Sequence, residues 1–239
     1  MVETRLIRTV LNPAVGFWLR SQVSAAREIQ FQLDGGDRQL LSGHMGPVTV
    51  SGQAIVYQGL HLSAVKLIVE KIRINFGQIL RGKALRLLEP IRAWGQLQLQ
   101  ETDLNASVAS PLLGGVLEEL LDQWAAPLRS LDILESGDSQ PHWEQIQIHF
   151  QNNALVLQTQ LRLSSQTVVP LSLRAQVTLR DPHTIVLQGL EWICERSDIQ
   201  AALAQTNHLT IGLGSDAAMQ TLTLEPGQVI CEMEITIHP

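Results

Sequence analysis

Charge is scarce in this chain. Only 17% of its 239 residues are Asp, Glu, Lys or Arg, against about 25% in an ordinary soluble domain. Gln, Ser and Thr take their place, as in QLQLQ at 96–100 and IQIHFQ at 146–151, which suits sheet faces that are only partly wetted. Cysteine is scarcer still. Cys194 and Cys231 are too few for a disulfide framework and lack metal-ligand spacing, so they read as buried thiols. No run approaches the roughly 20 apolar residues of a membrane span. The N-terminus lacks a signal-peptide pattern, because Arg8 and Asn12-Pro13 interrupt any apolar stretch. These absences predict a cytoplasmic protein, free or peripheral on the inner face of a membrane.

Catalytic signatures are missing too. The seven histidines stand apart, without H-E-x-x-H or H-x-x-x-H spacing. There is no G-x-S-x-G elbow. Gly212-Leu213-Gly214 lacks the third glycine of a dinucleotide turn, and Arg81-Gly82-Lys83 lacks the frame of a phosphate loop. Glu118 and Glu119 fall on the polar face of a helix, where solvation accounts for them. The expectation is a non-enzyme with no cofactor, no metal and no catalytic residue. Catalytic groups scattered along a chain escape such a search, so a lipid hydrolase stays as a minor alternative.

What the chain has is apolar periodicity. Leu6, Ile7, Val10, Leu11, Ala14, Phe17 and Trp18 recur at helical spacing over 4–26, with Pro13 in a first-turn position. Phe17 and Trp18 beside Arg8 and Arg20 suit an interfacial membrane helix or one packed on a sheet. From Glu28 the period becomes two, with turns at 34–37 and Gly59. In 60–76 the apolar parity changes, from Val65, Leu67 and Val69 to Ile72, Ile74 and Phe76, which predicts a bulge near Glu70-Lys71. Helical spacing returns after Ser110 and Pro111, a cap and a first-turn proline. Leu112, Leu113, Val116, Leu117, Leu120, Leu121 and Trp124 share one face, and Pro127 stops the helix.

ESGDSQP at 135–141 reads as a linker. Alternating strands follow, with turns at Asn152-Asn153, Asp181-Pro182-His183 and Glu225-Pro226-Gly227-Gln228. Ser197 with Gln200 predicts a capping box for a short helix. Residues 95–109 align with 190–204, and Leu60 and Leu62 with Leu155 and Leu157, compatible with either an internal duplication or chance. The reading is one lipid-binding domain over 1–239. It has an amphipathic N-terminal segment at 1–27 and α+β halves at 28–134 and 142–239.

Charge is unevenly placed. Residues 1–110 hold 12 basic against 8 acidic residues, and 111–239 hold 5 against 15, for a net −6. An acidic total argues against a general nucleic-acid binder. The basic excess lies at 66–92, where Arg73, Arg81, Lys83, Arg86 and Arg92 are candidates for meeting anionic headgroups or a membrane surface.

Two stretches then carry a family likeness. FGQILRGKALRLLEPI at 76–91 and LQLQETDLNASVASPLL at 97–113, with LLSGHMGPVTVSGQAIVYQGLHLSAVKL at 40–67, resemble the LmeA-like phospholipid-binding family, particularly its cyanobacterial forms. The resemblance is closest over 1–125, and its most specific part is Thr102-Asp103-Leu104-Asn105 after an alternating strand. It implies a fold similar to the tubular lipid-binding (TULIP) superfamily, a twisted antiparallel sheet wrapping a helix and sheltering lipid. It also implies phospholipid binding without catalysis. The better-known actinobacterial relatives are exported and serve envelope glycolipid metabolism. This sequence departs from them in showing no export signal, so their pathway role does not carry over.

The fold expected is therefore α+β, a long twisted antiparallel sheet curled around one or two amphipathic helices. The function expected is binding of phospholipid or glycolipid in an apolar groove, with peripheral association to anionic membranes. Leu112, Leu113, Val116, Leu117, Leu120, Leu121 and Trp124 of the central helix, with Phe17 and Trp18, are the candidate lipid contacts. The alternative is a protein-interaction or assembly factor that uses the same helix face for a partner the sequence does not name.

Overall fold

The structure, a computed structural model, describes residues 10–33, 43–128, 142–163 and 166–239. The first helix, α1 (Asn12–Gln22), precedes β1 (Glu28–Leu33), β2 (His44–Met45), β3 (Val48–Tyr57), β4 (Leu60–Val69) and β5 (Ile72–Arg73). A single turn, α2 (Phe76–Ile79), leads to β6 (Ile91–Gln100), then α3 (Glu101–Ala106) and the long α4 (Pro111–Leu128). The second half runs β7 (His142–Gln151), β8 (Ala154–Arg162), β9 (Val168–Asp181), β10 (Thr184–Cys194), α5 (Ser197–Leu203), β11 (His208–Gly212), β12 (Ala217–Glu225) and β13 (Gln228–Ile237).

These strands build two antiparallel sheets and a small ribbon. The first sheet has the order β1-β3-β4-β6-β13-β12, the second β11-β10-β9-β8-β7, and β2 pairs with β5. The sheet is strongly curled into a half-barrel, the α+β architecture that the alternating pattern led us to expect. The C-terminal hairpin crosses between halves. β13 lies against β6 over its whole length, from Gln228↔Gln100 to Ile237↔Ile91. Backbone bonds from the second sheet's turns, Asn153 N–H to Leu224 O (3.3 Å) and Met219 N–H to Pro182 O (2.7 Å), cover the edge strand β12, which would otherwise be open to foreign pairing.

Turn chemistry follows the sequence closely. Gln58 and Gly59 both have positive φ in the two-residue loop that joins Tyr57 to its partner Leu60, as a tight hairpin requires. Gly227, after Pro226, has φ +79, the conformation that Pro-Gly turns select. The Ser110 hydroxyl accepts the Leu113 N–H at 3.1 Å, so the cap on α4 is real, and Pro127 lies in its last described turn.

Two local expectations are overturned. The parity change near Glu70-Lys71 is a strand break rather than a bulge. β4 ends at Val69, and Ile72-Arg73 leaves the first sheet to pair with His44-Met45. At α5 the cap residue is Arg196 and no side chain caps the helix. Gln200 instead donates to the Trp192 carbonyl at 3.0 Å, because β10 runs directly beneath it. The turn at 34–37, the linker at 135–141 and most of the helix start before residue 10 lie outside the described residues.

The two aligned segments, 95–109 and 190–204, are each a strand running into a short helix, β6–α3 and β10–α5. Their neighbours differ. β4 pairs directly with β6, whereas β9 lies between β8 and β10.

Candidate functional site

Each sheet receives one amphipathic helix, and the two fits are unlike. On the second sheet, α4 is sunk into a continuous core. Leu117, Leu120, Leu121 and Trp124 are buried among Phe150, Leu157, Leu161, Leu171 and Leu173. Trp124, 1% exposed, meets Trp143 and Trp192 edge to face, with ring centroids 5.7 and 4.9 Å away. Leu113 and Val116 are half-buried at the margin of this cluster, and Leu112 is exposed.

On the first sheet, α1 is shorter and fits loosely. Its Val15, Trp18 and Leu19 roof an apolar cavity. The floor is the inward face of the sheet, where Val48 and Val50 of β3 stand opposite Val69 and Leu67 of β4. Ile91 and Ile237 continue it, and Met45, Ile72, Leu85 and Leu87 form the wall. Every lining side chain is apolar. Gly95 has a part in this floor, since a Cβ there would run into the Lys66 carbonyl and Leu67. The cavity, partly open to solvent, holds about 70 Å³, roughly half of the ~150 Å³ that admits one benzene.

The wall is a shaped connection, residues 70–90. Asn75 is buried at its root. It donates to the Ala84 carbonyl at 2.9 Å and accepts the Arg86 N–H at 2.8 Å. Leu88 N–H reaches Arg73 O at 2.9 Å. This pinning alternates the segment, so that Leu85 and Leu87 turn into the cavity while Ala84, Arg86 and Leu88 face solvent. The five basic candidates divide here. Arg73 pairs with Glu89 at 3.5 Å and Arg92 with Glu234 at 3.4 Å. Arg81, Lys83 and Arg86 are exposed, with no acidic partner within ion-pair distance among the described residues.

The two sheets are joined by α3, the helix carrying Thr102-Asp103-Leu104-Asn105. Asp103 receives the Ser63 hydroxyl of β4. Asn105 donates to Ile148 O and accepts Ile148 N–H, both at 2.8 Å, on β7. Glu101 meets His149 Nδ1 at 2.7 Å and accepts the Phe150 N–H at 3.0 Å. Burial acts to raise the Glu101 pKa. The hydrogen bonds from His149 and Phe150, with the His149 charge, outweigh it and hold the carboxyl below its ordinary value. Both thiols read as inert. Burial raises Cys194 and pushes Cys231 up to about 11.

The candidate lipid contacts thus fall into two separate groups, Trp18 over the cavity and the α4 residues in the other core, with Phe17 turned outward, 73% exposed. The cavity floor and wall escaped the sequence reading, because their residues come from strands far apart in the chain. The parity break at 70–71 was the available signal, since it marks where the chain leaves the sheet to build the wall. Among the described residues no His, Cys, Asp or Glu cluster suits a metal ion, and no helix is long and apolar enough to cross a membrane.

The molecule is a curled-sheet half-barrel with an apolar hollow beneath a helix. The chain belongs to the LmeA-like phospholipid-binding family, whose sequence profile matches residues 2–234. No curated protein and no solved structure matches it.

Proposed function

We propose that this protein binds a phospholipid without catalysis, its acyl portion lying in the apolar hollow between α1 and the first sheet, and that it works as a peripheral visitor to membranes. The observation that carries this reading is the all-apolar cavity under α1, in a chain of a phospholipid-binding family. An apolar lining supplies the hydrophobic term for an acyl chain and offers no acid, base or nucleophile. Ligand sites for molecules of this size hold about 300–1,000 Å³, far more than the hollow as it stands. Uptake therefore requires α1 to lift, with the Val15, Trp18 and Leu19 face giving way to lipid. We place the lipid here rather than under α4, whose Leu117, Leu120, Leu121 and Trp124 are already buried against the second sheet.

The test is organic extraction of gently purified protein with mass spectrometry, joined to titration with a fluorescent-tailed phospholipid. Phospholipid or glycolipid near one per chain, or saturable uptake by the stripped protein, is the expected result. Filling the hollow with Val50→Phe should weaken uptake about tenfold, an order-of-magnitude expectation from steric exclusion. An empty extract with no saturable uptake rejects the proposal.

A further inference from the structure

The cavity wall has an outer side that carries exposed leucines and exposed cations together. Leu80 and Leu88 are 50% and 56% exposed, both on the connection 70–90. Between them stand Arg81, Lys83 and Arg86, exposed and without acidic partners among the described residues. The connection carries five basic residues against Glu70 and Glu89, and Glu89 is taken up by Arg73. Gly82, at φ +76, turns the chain between Arg81 and Lys83. Phe17 projects from α1, which roofs the same cavity. Exposed apolar side chains scattered singly are ordinary. Here they flank cations that have no acidic partner among the described residues, at the rim of an apolar hollow.

Position strengthens the case. β4 begins at Leu60, beside the Ser63–Asp103 contact with α3, and ends at Val69 where the connection starts. The six strand steps from Ser63 to Val69, at about 3.3 Å each, put the connection roughly 20 Å from the joint with the second sheet. That distance exceeds the Debye length of about 8 Å at physiological salt, so the carboxylates near α3 do not cancel this charge.

We infer that the connection 70–90 is a bilayer-docking tip, in which Leu80 and Leu88 enter the acyl boundary of an anionic phospholipid membrane while Arg81, Lys83 and Arg86 meet its headgroups, presenting the mouth of the hollow to the bilayer. The occupant follows from the charge. Cations with no acidic partner among the described residues fit an anionic surface, and the leucines that flank them fit the apolar layer beneath it. The purpose of the tip rests on the lipid-binding reading, but its existence is measured independently.

The experiment is vesicle flotation, using phosphatidylcholine alone or with phosphatidylglycerol, at low and high salt. Wild type is compared with Arg81→Glu/Lys83→Glu/Arg86→Glu and with Leu80→Ser/Leu88→Ser. All five positions are exposed, so circular dichroism and melting should be unchanged. Wild type should float only with phosphatidylglycerol, less at high salt. The charge variant should lose about a hundredfold in partitioning, as three surface cations predict. The leucine variant should bind more weakly at low salt although its charges remain. Uptake of a short-chain fluorescent lipid below its micelle concentration should be equal in all three. Equal flotation of wild type and either variant, flotation on neutral vesicles alone, or no flotation of wild type overturns the docking tip. Failed uptake of the soluble lipid by wild type overturns the lipid site instead, so the two failures are told apart.

Discussion

The same device, an amphipathic helix laid on a curled antiparallel sheet, appears twice in this molecule with opposite outcomes. α4 brings 18 residues and a wide stripe to the second sheet, and the pair closes into a core with Trp124 at its centre. α1 brings 11 residues, anchored by buried Val15 and by Leu11 at its start, and the space between it and the first sheet stays partly empty. Hydrophobic periodicity does not separate the two cases, because both helices have a face. The length and volume of that face, measured against the hollow it must fill, decide whether a helix locks a core or covers a site.

The largest expected effect tests the closed side. Trp124→Ala should cost about 3–5 kcal/mol in urea denaturation, the range for emptying an aromatic core site, while lipid uptake per folded molecule stays unchanged. If stability held and uptake fell, α4 rather than α1 would be the lipid-facing helix and the comparison would reverse.

Next comes the joint between the regions. Asn105→Ala removes both bonds to the Ile148 backbone and leaves paired groups unsatisfied, a loss of about 2 kcal/mol. Hydrogen exchange should show the second sheet and α3 loosening together, with the cavity floor unaffected. On the open side, Trp18→Ala removes a half-buried ring and should cost clearly less than Trp124→Ala, yet change lipid affinity more than any α4 truncation. A melting loss like that of Trp124→Ala would make α1 a core helix.

The smallest effect is a pH dependence at the joint. The Glu101 carboxyl is held below its ordinary value in the folded state. Its contribution to stability is therefore fully present above about pH 4.5, the unfolded value, and is lost as pH falls through the lowered folded value. Glu101→Gln should flatten that part of the acid limb in denaturation midpoints measured from pH 6 to 3, and leave the neutral range nearly parallel to wild type. An acid limb unchanged by the substitution would assign it to other carboxylates.

Much of this was legible in the sequence. The period-two runs, the α4 stripe after Ser110-Pro111, the Pro226-Gly227 turn and the strand-to-helix passage at Gln100–Asn105 are local patterns. Their physics lies in residues two to four positions apart, which a reader of the chain can see. The short-range expectations that failed did so where a distant element intervened. Gln200 looked like half of a capping box but was drawn to the Trp192 carbonyl. The parity change at Glu70-Lys71 looked like a bulge, yet Ile72 and Arg73 were taken by a partner near residue 44. The resemblance named the family, and the local stripes pointed to α4 and to Phe17 and Trp18 without showing which helix covers the hollow.

By itself, then, the sequence determined the strands, the two amphipathic helices, most turns, the family, and the basic stretch with its three cations clear of any neighbouring acid. Only the tertiary structure decided that β13 would lie along β6 from the far end of the chain, that Arg73 and Arg92 would be paired while Arg81, Lys83 and Arg86 have no acidic partner among the described residues, and that an apolar hollow would form under α1 while α4 buries Leu117, Leu120, Leu121 and Trp124. The reason is physical. Secondary structure answers to neighbours along the chain, whereas a cavity is the volume left when surfaces from distant segments meet, and no single segment contains that difference.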